Sequence, residues 1–216
     1  MNFRVLFSLS AVCAALAAQA ADTWDLRDGV GATNPLGVWS LGGYNGGTFS
    51  LFAETGNNGI GKYWKTGDLA IWKNESGSLA YGIGAGEVSL SSDFGVPMAR
   101  FTAPYDGTFS LNLAFGGTTA SAGGGYGNIN ANLGKLLING VEDTADSFVG
   151  NVKTFTATGV VLSQGQTIEA YIGQSYGGGN TQTVFTVNGV QAVPEPASMA
   201  ALGLGALGLL KRRKRA

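Results

Sequence analysis

The clearest pattern in the chain is a strict alternation of apolar and other residues over 108–115. Phe109, Leu111, Leu113 and Phe115 fall at every second position, and polar or small residues stand between them. Successive side chains of a strand point to opposite faces of a sheet, so this pattern predicts a strand with one buried face. Asp106-Gly107 is a turn signal, and with the apolar run 97–102 before it the segment predicts a strand-turn-strand unit.

Similar short runs recur along the chain, and glycine-rich turns separate them. Asn139-Gly140 and Asn188-Gly189 are tight-turn signals, the second placed directly after a predicted strand. No window of a dozen residues in 21–193 keeps a helical period. We therefore predict an all-β fold, an antiparallel two-sheet sandwich that is jelly-roll-like. The other predicted strands lie at 38–41, 48–53, 69–72, 88–90, 135–138, 152–157, 167–172 and 183–187.

The N-terminal residues have the layout of a secretory signal peptide. Arg4 precedes an apolar stretch over 5–18, and Ala18-Gln19-Ala20 provides small residues for cleavage. We predict a signal peptide over residues 1–20 and a β-sandwich ectodomain over 21–192. Cys13, the one cysteine of the chain, leaves with the signal peptide.

The C-terminal residues 193–216 form a second signal. Pro194, Glu195 and Pro196 precede an apolar segment over 197–210 and a basic tail over 211–216. As a helix, the apolar segment reaches about 21 Å, short of the ~30 Å hydrocarbon core, so it spans a membrane only if its basic end snorkels and the bilayer thins. The positive charges hold that end in the cytoplasm. These anchoring residues are Lys211, Arg212, Arg213, Lys214 and Arg215.

This three-part tail, paired with an N-terminal leader, resembles the PEP-CTERM sorting signal. The resemblance implies recognition by an exosortase, a membrane protease-transpeptidase, after export by a Gram-negative bacterium. It further implies a transient inner-membrane intermediate, cleavage near the Pro-Glu-Pro motif, and delivery to the cell surface or extracellular matrix. Proteins of this class are linked with extracellular polysaccharide and biofilm matrix. A plain single-span anchor is the alternative interpretation.

The composition of the chain excludes several kinds of catalytic and metal-binding site. The chain contains no histidine, which excludes Ser-His-Asp or Cys-His catalysis and histidine-ligated zinc. Without its two signals it carries seven basic and thirteen acidic side chains, a net charge of −6 that argues against nucleic acid as a partner. We predict that the protein is not an enzyme.

Three segments of the ectodomain resemble jelly-roll modules similar to carbohydrate-binding domains. They are Asn34–Gly42, Arg100–Phe109 and Leu136–Gly140. The resemblance implies the same fold and association with extracellular polysaccharide. Self-association as a structural matrix protein is the first alternative. A carboxylate-based glycan hydrolase is the second, and it needs two acids about 5–9 Å apart across a cleft.

Aromatic residues are the candidate ligand-binding groups. Tyr44, Tyr126 and Tyr176 each lie within a glycine and asparagine cluster, which predicts loop-borne, partly exposed rings. Exposed rings bind the apolar faces of sugars, and asparagine amides bind the hydroxyls. The alternatives are self-association through these rings and rings that fold back over a sheet edge. Trp64 and Trp72 form a second group, which either lines a sugar groove or covers the core.

Two groups of carboxylates are candidate ligands for a structural calcium ion. Loop acids can hold a structural calcium ion, but neither group has the spacing of an EF-hand loop, and solvated surface acids are the other interpretation. We predict no cofactor. The groups are Asp22, Asp25 and Asp28, and Glu142, Asp143 and Asp146.

Overall fold

The computed structural model describes residues 21–92, 95–116, 131–173 and 179–192. Within these ranges α1 is a single helical turn at Leu26–Gly29, and a 3-10 turn lies at Ala131–Leu133. The strands are β1 Asp22–Asp25, β2 Trp39–Asn45, β3 Thr48–Leu51, β4 Glu54–Asn57, β5 Lys62–Thr66, β6 Leu69–Lys73, β7 Val88–Ser91, β8 Pro97–Thr102, β9 Gly107–Phe115, β10 Gly134–Ile138, β11 Val141–Asp143, β12 Asp146–Val149, β13 Val152–Leu162, β14 Thr167–Ile172 and β15 Asn180–Gln191.

These strands pair into two antiparallel sheets. The order in the larger sheet is β12-β13-β9-β15-β7-β6-β5-β4. Strand β1 also belongs to this sheet and pairs with the C-terminal half of β15, along the same side on which β7 pairs with the N-terminal half. The order in the smaller sheet is β11-β10-β14-β8-β2-β3. The prediction of a nearly all-β, antiparallel two-sheet fold is confirmed.

Eight of the strands have the order of a jelly roll. The larger sheet contains β7-β15-β9-β13 as neighbours, and the smaller contains β8-β14-β10-β11. From β7 to β10 the chain changes sheet at every step, and it does so again from β13 to β15. Each sheet therefore receives strands from distant parts of the sequence, which is how this architecture buries both inner faces.

The core lies between the inner faces of the two sheets. Strand β9 alternates as its sequence predicts, with Phe109, Leu113 and Phe115 buried and the residues between them more exposed. Trp39 of β2 crosses the gap and contacts Phe185 of β15 edge-on, with ring centroids 5.1 Å apart. Each such side chain contributes about 1.5–3 kcal/mol when fully buried, so the alternating positions carry most of the stabilisation.

The predicted strand-turn-strand unit is present as β8 and β9, but the two strands join different sheets, so Asp106-Gly107 connects the layers. The turn predicted at Asn188-Gly189 is wrong. Strand β15 continues through Asn188-Gly189, because the missing side chain of Gly189 leaves room for the rings of Phe109 and Trp24. Asn139-Gly140 does form the predicted tight turn, with φ values of 55° and 78°, between β10 and β11.

Candidate functional site

An open cleft lies at one end of the sandwich, where edges of the two sheets meet. It has a volume of about 930 Å³ and is bounded by the β2–β3 hairpin of the smaller sheet and the β5–β6 turn of the larger. The lining residues are Gly43, Tyr44, Asn45, Gly46, Gly47, Ser50, Leu51, Phe52, Thr66, Asp68, Leu69, Gly95, Val96, Tyr171 and Gly173.

Two tyrosine rings stand together in this cleft. The ring centroids of Tyr44 and Tyr171 are 5.4 Å apart, with an angle of 35° between the ring planes. Tyr44 lies on β2 and Tyr171 on β14, and Met98 of β8 is the cross-strand neighbour of Tyr171 between them. Both rings are half-buried, so part of each remains open to the cleft.

The position of Tyr44 depends on the glycines around it. Gly46 and Gly47 have φ values of 56° and 88° and make the two-residue turn that joins β2 to β3. A side chain at Gly43 would meet Leu69 at 3.0 Å, so glycine there lets β2 approach the β5–β6 turn. Tyr44 thus lies on a strand directly before a tight turn, and not on the loop that the sequence predicts.

The polar groups of the cleft come from its rim. Asn45, Ser50, Thr66 and Asp68 supply amide, hydroxyl and carboxylate groups. Among the described residues, Asp68 has neither a hydrogen bond nor an ion pair. The site therefore combines two aromatic faces with groups that donate or accept hydrogen bonds.

Tyr171 also faces a charged neighbourhood on the outer surface of the smaller sheet. Lys135, its cross-strand neighbour, forms an ion pair with Glu142. Burial raises the pKa of the Tyr171 hydroxyl, and the negative charge of Glu142 raises it further. Tyr171 therefore stays protonated and can donate a hydrogen bond.

A second ion pair lies close by on the same sheet. The Arg100 Nε donates to Oε1 of Glu169 at 2.6 Å, and its guanidinium lies 3.9 Å from the centre of the Phe49 ring. Because both charges are already paired, this part of the surface offers a ligand little free charge.

Trp64 and Trp72 are buried, with exposed fractions of 7% and 5%. The Trp64 indole N–H donates to the Gly31 carbonyl at 3.0 Å. The Trp72 indole N–H donates to the side-chain oxygens of Ser91 and Asn180, each at 3.0 Å. Neither ring presents an open face, so the structure corrects the sugar-groove hypothesis for this pair and favours the alternative in which the rings cover buried parts of the fold.

The other predicted site residues lie outside the described ranges. These are Tyr126, Tyr176, the Pro194-Glu195-Pro196 motif and the basic residues 211–215. The predicted signal peptide 1–20 and the apolar segment 197–210 lie outside as well. Of the residues that the structure describes, none belongs to a helix long and apolar enough to cross a membrane.

The acids of the calcium hypothesis mostly have partners of their own. Asp22 accepts a hydrogen bond from Tyr105, and Asp25 caps α1 and pairs with Arg27. Burial alone would raise the pKa of Asp25, but its hydrogen bonds with Arg27 outweigh burial and lower it. Glu142 pairs with Lys135, Asp143 accepts from the Ala145 amide, and Asp146 pairs with Lys153. Within the described ranges, no group of three or more acidic, histidine or cysteine side chains is arranged to hold a metal ion.

Tyr171 is not among the binding residues predicted from the sequence. Its signal is the alternation over 167–172, where Ile168, Ala170 and Ile172 are buried and the residues between face outward. Tyr171 lacks the surrounding glycines and asparagines by which Tyr44 was predicted, so the alternation of the strand is its one local signal.

Comparison with known proteins identifies the C-terminal signal. The model of the PEP-CTERM protein-sorting motif matches residues 192–215, so the resemblance of the tail is confirmed. This motif implies that the chain is exported, held at the membrane as an intermediate, and processed by an exosortase. No curated protein matches the chain. Among solved structures, the chain is similar to the native structure of a family 35 carbohydrate binding module from Clostridium thermocellum, at 15% identity and a TM-score of 0.29, over 80% of this chain and 92% of that one.

Proposed function

We propose that this exported β-sandwich is a non-catalytic protein that associates with extracellular polysaccharide through the Tyr44–Tyr171 cleft. The observation that carries the proposal is the pair of rings, 5.4 Å apart, in a cleft with a polar rim. Exosortase processing then delivers the protein to the cell surface or matrix, where such a polymer is found.

The chemistry of the cleft suits a sugar. A pyranose ring has apolar C–H faces and a polar edge, so it needs an aromatic surface below and hydrogen-bonding groups around it. Tyr44 and Tyr171 supply the surface, and Asn45, Ser50 and Thr66 lie at the rim. A cleft of about 930 Å³ is at the upper end of the range of small-ligand sites and is open, which suits a segment of a longer chain.

Hydrolysis has less support than binding. Glycosidases use two carboxyl groups, one on each side of the scissile bond. Among the described residues that line the cleft, Asp68 is the single carboxylate. The cleft is therefore better suited to holding a polymer than to cutting it.

Affinity electrophoresis of the full chain tests this function. The protein, kept in a nonionic detergent without a sugar head group, is run through gels that contain neutral or charged polysaccharides. Tyr44→Ala and Tyr171→Ala should each weaken retardation by about tenfold, the effect of losing one aromatic contact of about 1.4 kcal/mol. The matched control is Tyr81→Ala, because Tyr81 is 58% exposed and lies outside the cleft. Equal retardation of all variants would contradict the proposal.

Self-association is a second candidate, favoured by the edge of the larger sheet. Strand β12 is the last strand of that sheet and all four of its residues are exposed. Phe148 and Val149 on this edge are 50% and 76% exposed. An open apolar edge can pair with the same edge of another copy. Concentration-dependent assembly without added sugar is the result that would favour this function.

A further inference from the structure

We infer that the polysaccharide recognised at the Tyr44–Tyr171 cleft is one that carries free amino groups, with Asp68 pairing with an ammonium group of the sugar. This inference rests on the proposed function and adds the class of ligand to it. It follows from the charges that line the cleft and from those that the rest of the surface has already paired.

Asp68 is the one charged side chain in the described lining of the cleft. It lies in the Gly67-Asp68 turn between β5 and β6, where Gly67 has a φ of 59°. It is exposed and, in the described part of the chain, has no bonding partner. A carboxylate that lines the same cleft as a half-buried aromatic pair attracts a cation and repels an anion.

Most acids elsewhere in the described part of the chain are ion-paired, whereas Asp68, like Asp28, has neither an ion pair nor a hydrogen bond. Glu54, Glu75, Glu87, Glu142, Asp146 and Glu169 each form an ion pair with a lysine or arginine. Asp68 is therefore free to pair with a charge that the protein does not supply itself.

Most basic side chains of this part of the chain already have a carboxylate partner. Six of the seven basic residues in 21–192 have a carboxylate partner, and Lys73 donates to the Arg27 carbonyl at 3.1 Å. The ion-paired six are Arg27, Lys62, Lys65, Arg100, Lys135 and Lys153. A uronate or sulfate polymer would thus find Lys73 as the one cation without an ion pair in this part of the chain, outside the described lining of the cleft, and it would approach a domain of net charge −6.

Three sets of oligosaccharides of equal length separate the ligand classes. Glucosamine oligomers carry the ammonium group, N-acetylglucosamine oligomers differ from them only by neutral amides, and uronate oligomers carry the opposite charge. Affinities are measured with the full chain in sugar-free detergent, at a pH where the amines are protonated. We expect glucosamine oligomers to bind best and uronate oligomers to bind worst.

Asp68→Asn isolates the charge. It should weaken glucosamine binding by about two- to fivefold, the range of one exposed ion pair, and leave N-acetylglucosamine binding unchanged. High salt should reproduce that loss in the wild type and have no further effect on Asp68→Asn. The control is Asp28→Asn, which changes the net charge equally but lies outside the cleft.

The outcomes distinguish this inference from the proposed function. Unchanged glucosamine affinity in Asp68→Asn, or a preference for uronate oligomers, overturns the amino-sugar inference. If N-acetylglucosamine binding is still lost in Tyr44→Ala, the proposed function stands without it. If none of the three sets binds, the amino-sugar inference is overturned, and the gel retardation by other polysaccharides decides the proposed function. If Tyr44→Ala binds as well as the wild type, both are overturned.

Discussion

The Tyr105 hydroxyl donates a hydrogen bond of 2.8 Å to Oδ2 of Asp22, which ties the first residue of β1 to the loop that leads into β9. The Tyr105 ring stacks on Phe109, with centroids 5.7 Å apart. Burial, and then the hydrogen bond to Asp22, raises the pKa of Tyr105 to about 12. The fold therefore favours the protonated hydroxyl.

This contact predicts a loss of stability in alkali. The folded-state pKa lies above the ordinary value of 10.0, so the contribution of Tyr105 is complete below about pH 10 and is lost as the pH rises through about 12. Denaturant titrations across this range should show a steeper fall for the wild type than for Tyr105→Phe. At neutral pH, Tyr105→Phe should cost about 1 kcal/mol. Parallel pH profiles for the two proteins would contradict the assignment.

The Arg100–Glu169 pair predicts a strong coupling between two substitutions. The Glu169 side chain is only 6% exposed, so Arg100→Met leaves a nearly buried carboxylate without its partner. We expect that single change to lower the free energy of unfolding by about 3 kcal/mol, and the double variant with Glu169→Met to regain most of the loss. Chemical denaturation of both single variants and the double variant measures the coupling. Additive effects would mean that the pair contributes nothing beyond its separate side chains.

Much of the fold could be predicted from local pattern, because a strand with one buried face alternates. Strand β9 shows this alternation in its sequence and in its burial. Strands β4 and β12 could not be predicted in this way, since neither of them buries a residue. Which sheet receives a strand depends on pairing between distant segments, so the local pattern of the β8–β9 unit could not show that its two strands join different sheets.

Of the two tyrosines in the candidate site, Tyr44 could be predicted from the local sequence. The glycines around Tyr44 signal a tight turn and an accessible ring. The partnership with Tyr171 could not be predicted, because it depends on the register that β8 imposes on β2 and β14. Trp64 could not be placed either, because its hydrogen-bond acceptor is the Gly31 carbonyl, 33 residues away in sequence.

Trp64 therefore offers a test that separates stability from binding. Trp64→Phe removes the hydrogen bond to Gly31 and should cost about 1–2 kcal/mol. Trp64→Ala also leaves a cavity, which raises the cost to about 3–5 kcal/mol. Thermal melts measure both. At a temperature where Trp64→Phe is still folded, its affinity for polysaccharide should equal that of the wild type, and a loss of affinity would return Trp64 to the binding site.

If copies of the protein associate through the edge of β12, a charge placed on that edge should block the association. Phe148→Lys places a charge on the exposed edge, which opposes pairing between two copies of the strand. If the protein assembles in the absence of sugar, this variant should remain dispersed at concentrations where the wild type sediments as larger species. Leu79→Lys is the control, because Leu79 is 51% exposed but lies between β6 and β7, which β13, β9 and β15 separate from β12 in the sheet. Equal assembly of the two variants would exclude β12 as the contact.

Loss of the sorting motif should leave the uncut form of the chain in the membrane. Replacing Pro194, Glu195 and Pro196 with alanine removes the residues that the PEP-CTERM resemblance assigns to recognition while leaving the apolar segment and basic tail in place. The uncut chain should then accumulate in the membrane fraction, and immunoblots of fractionated cells would reveal it. Deleting the host exosortase should give the same uncut form with the wild-type motif. A plain membrane anchor predicts a different result, because the wild-type chain would also remain uncut in the membrane and neither change would alter its size or its location.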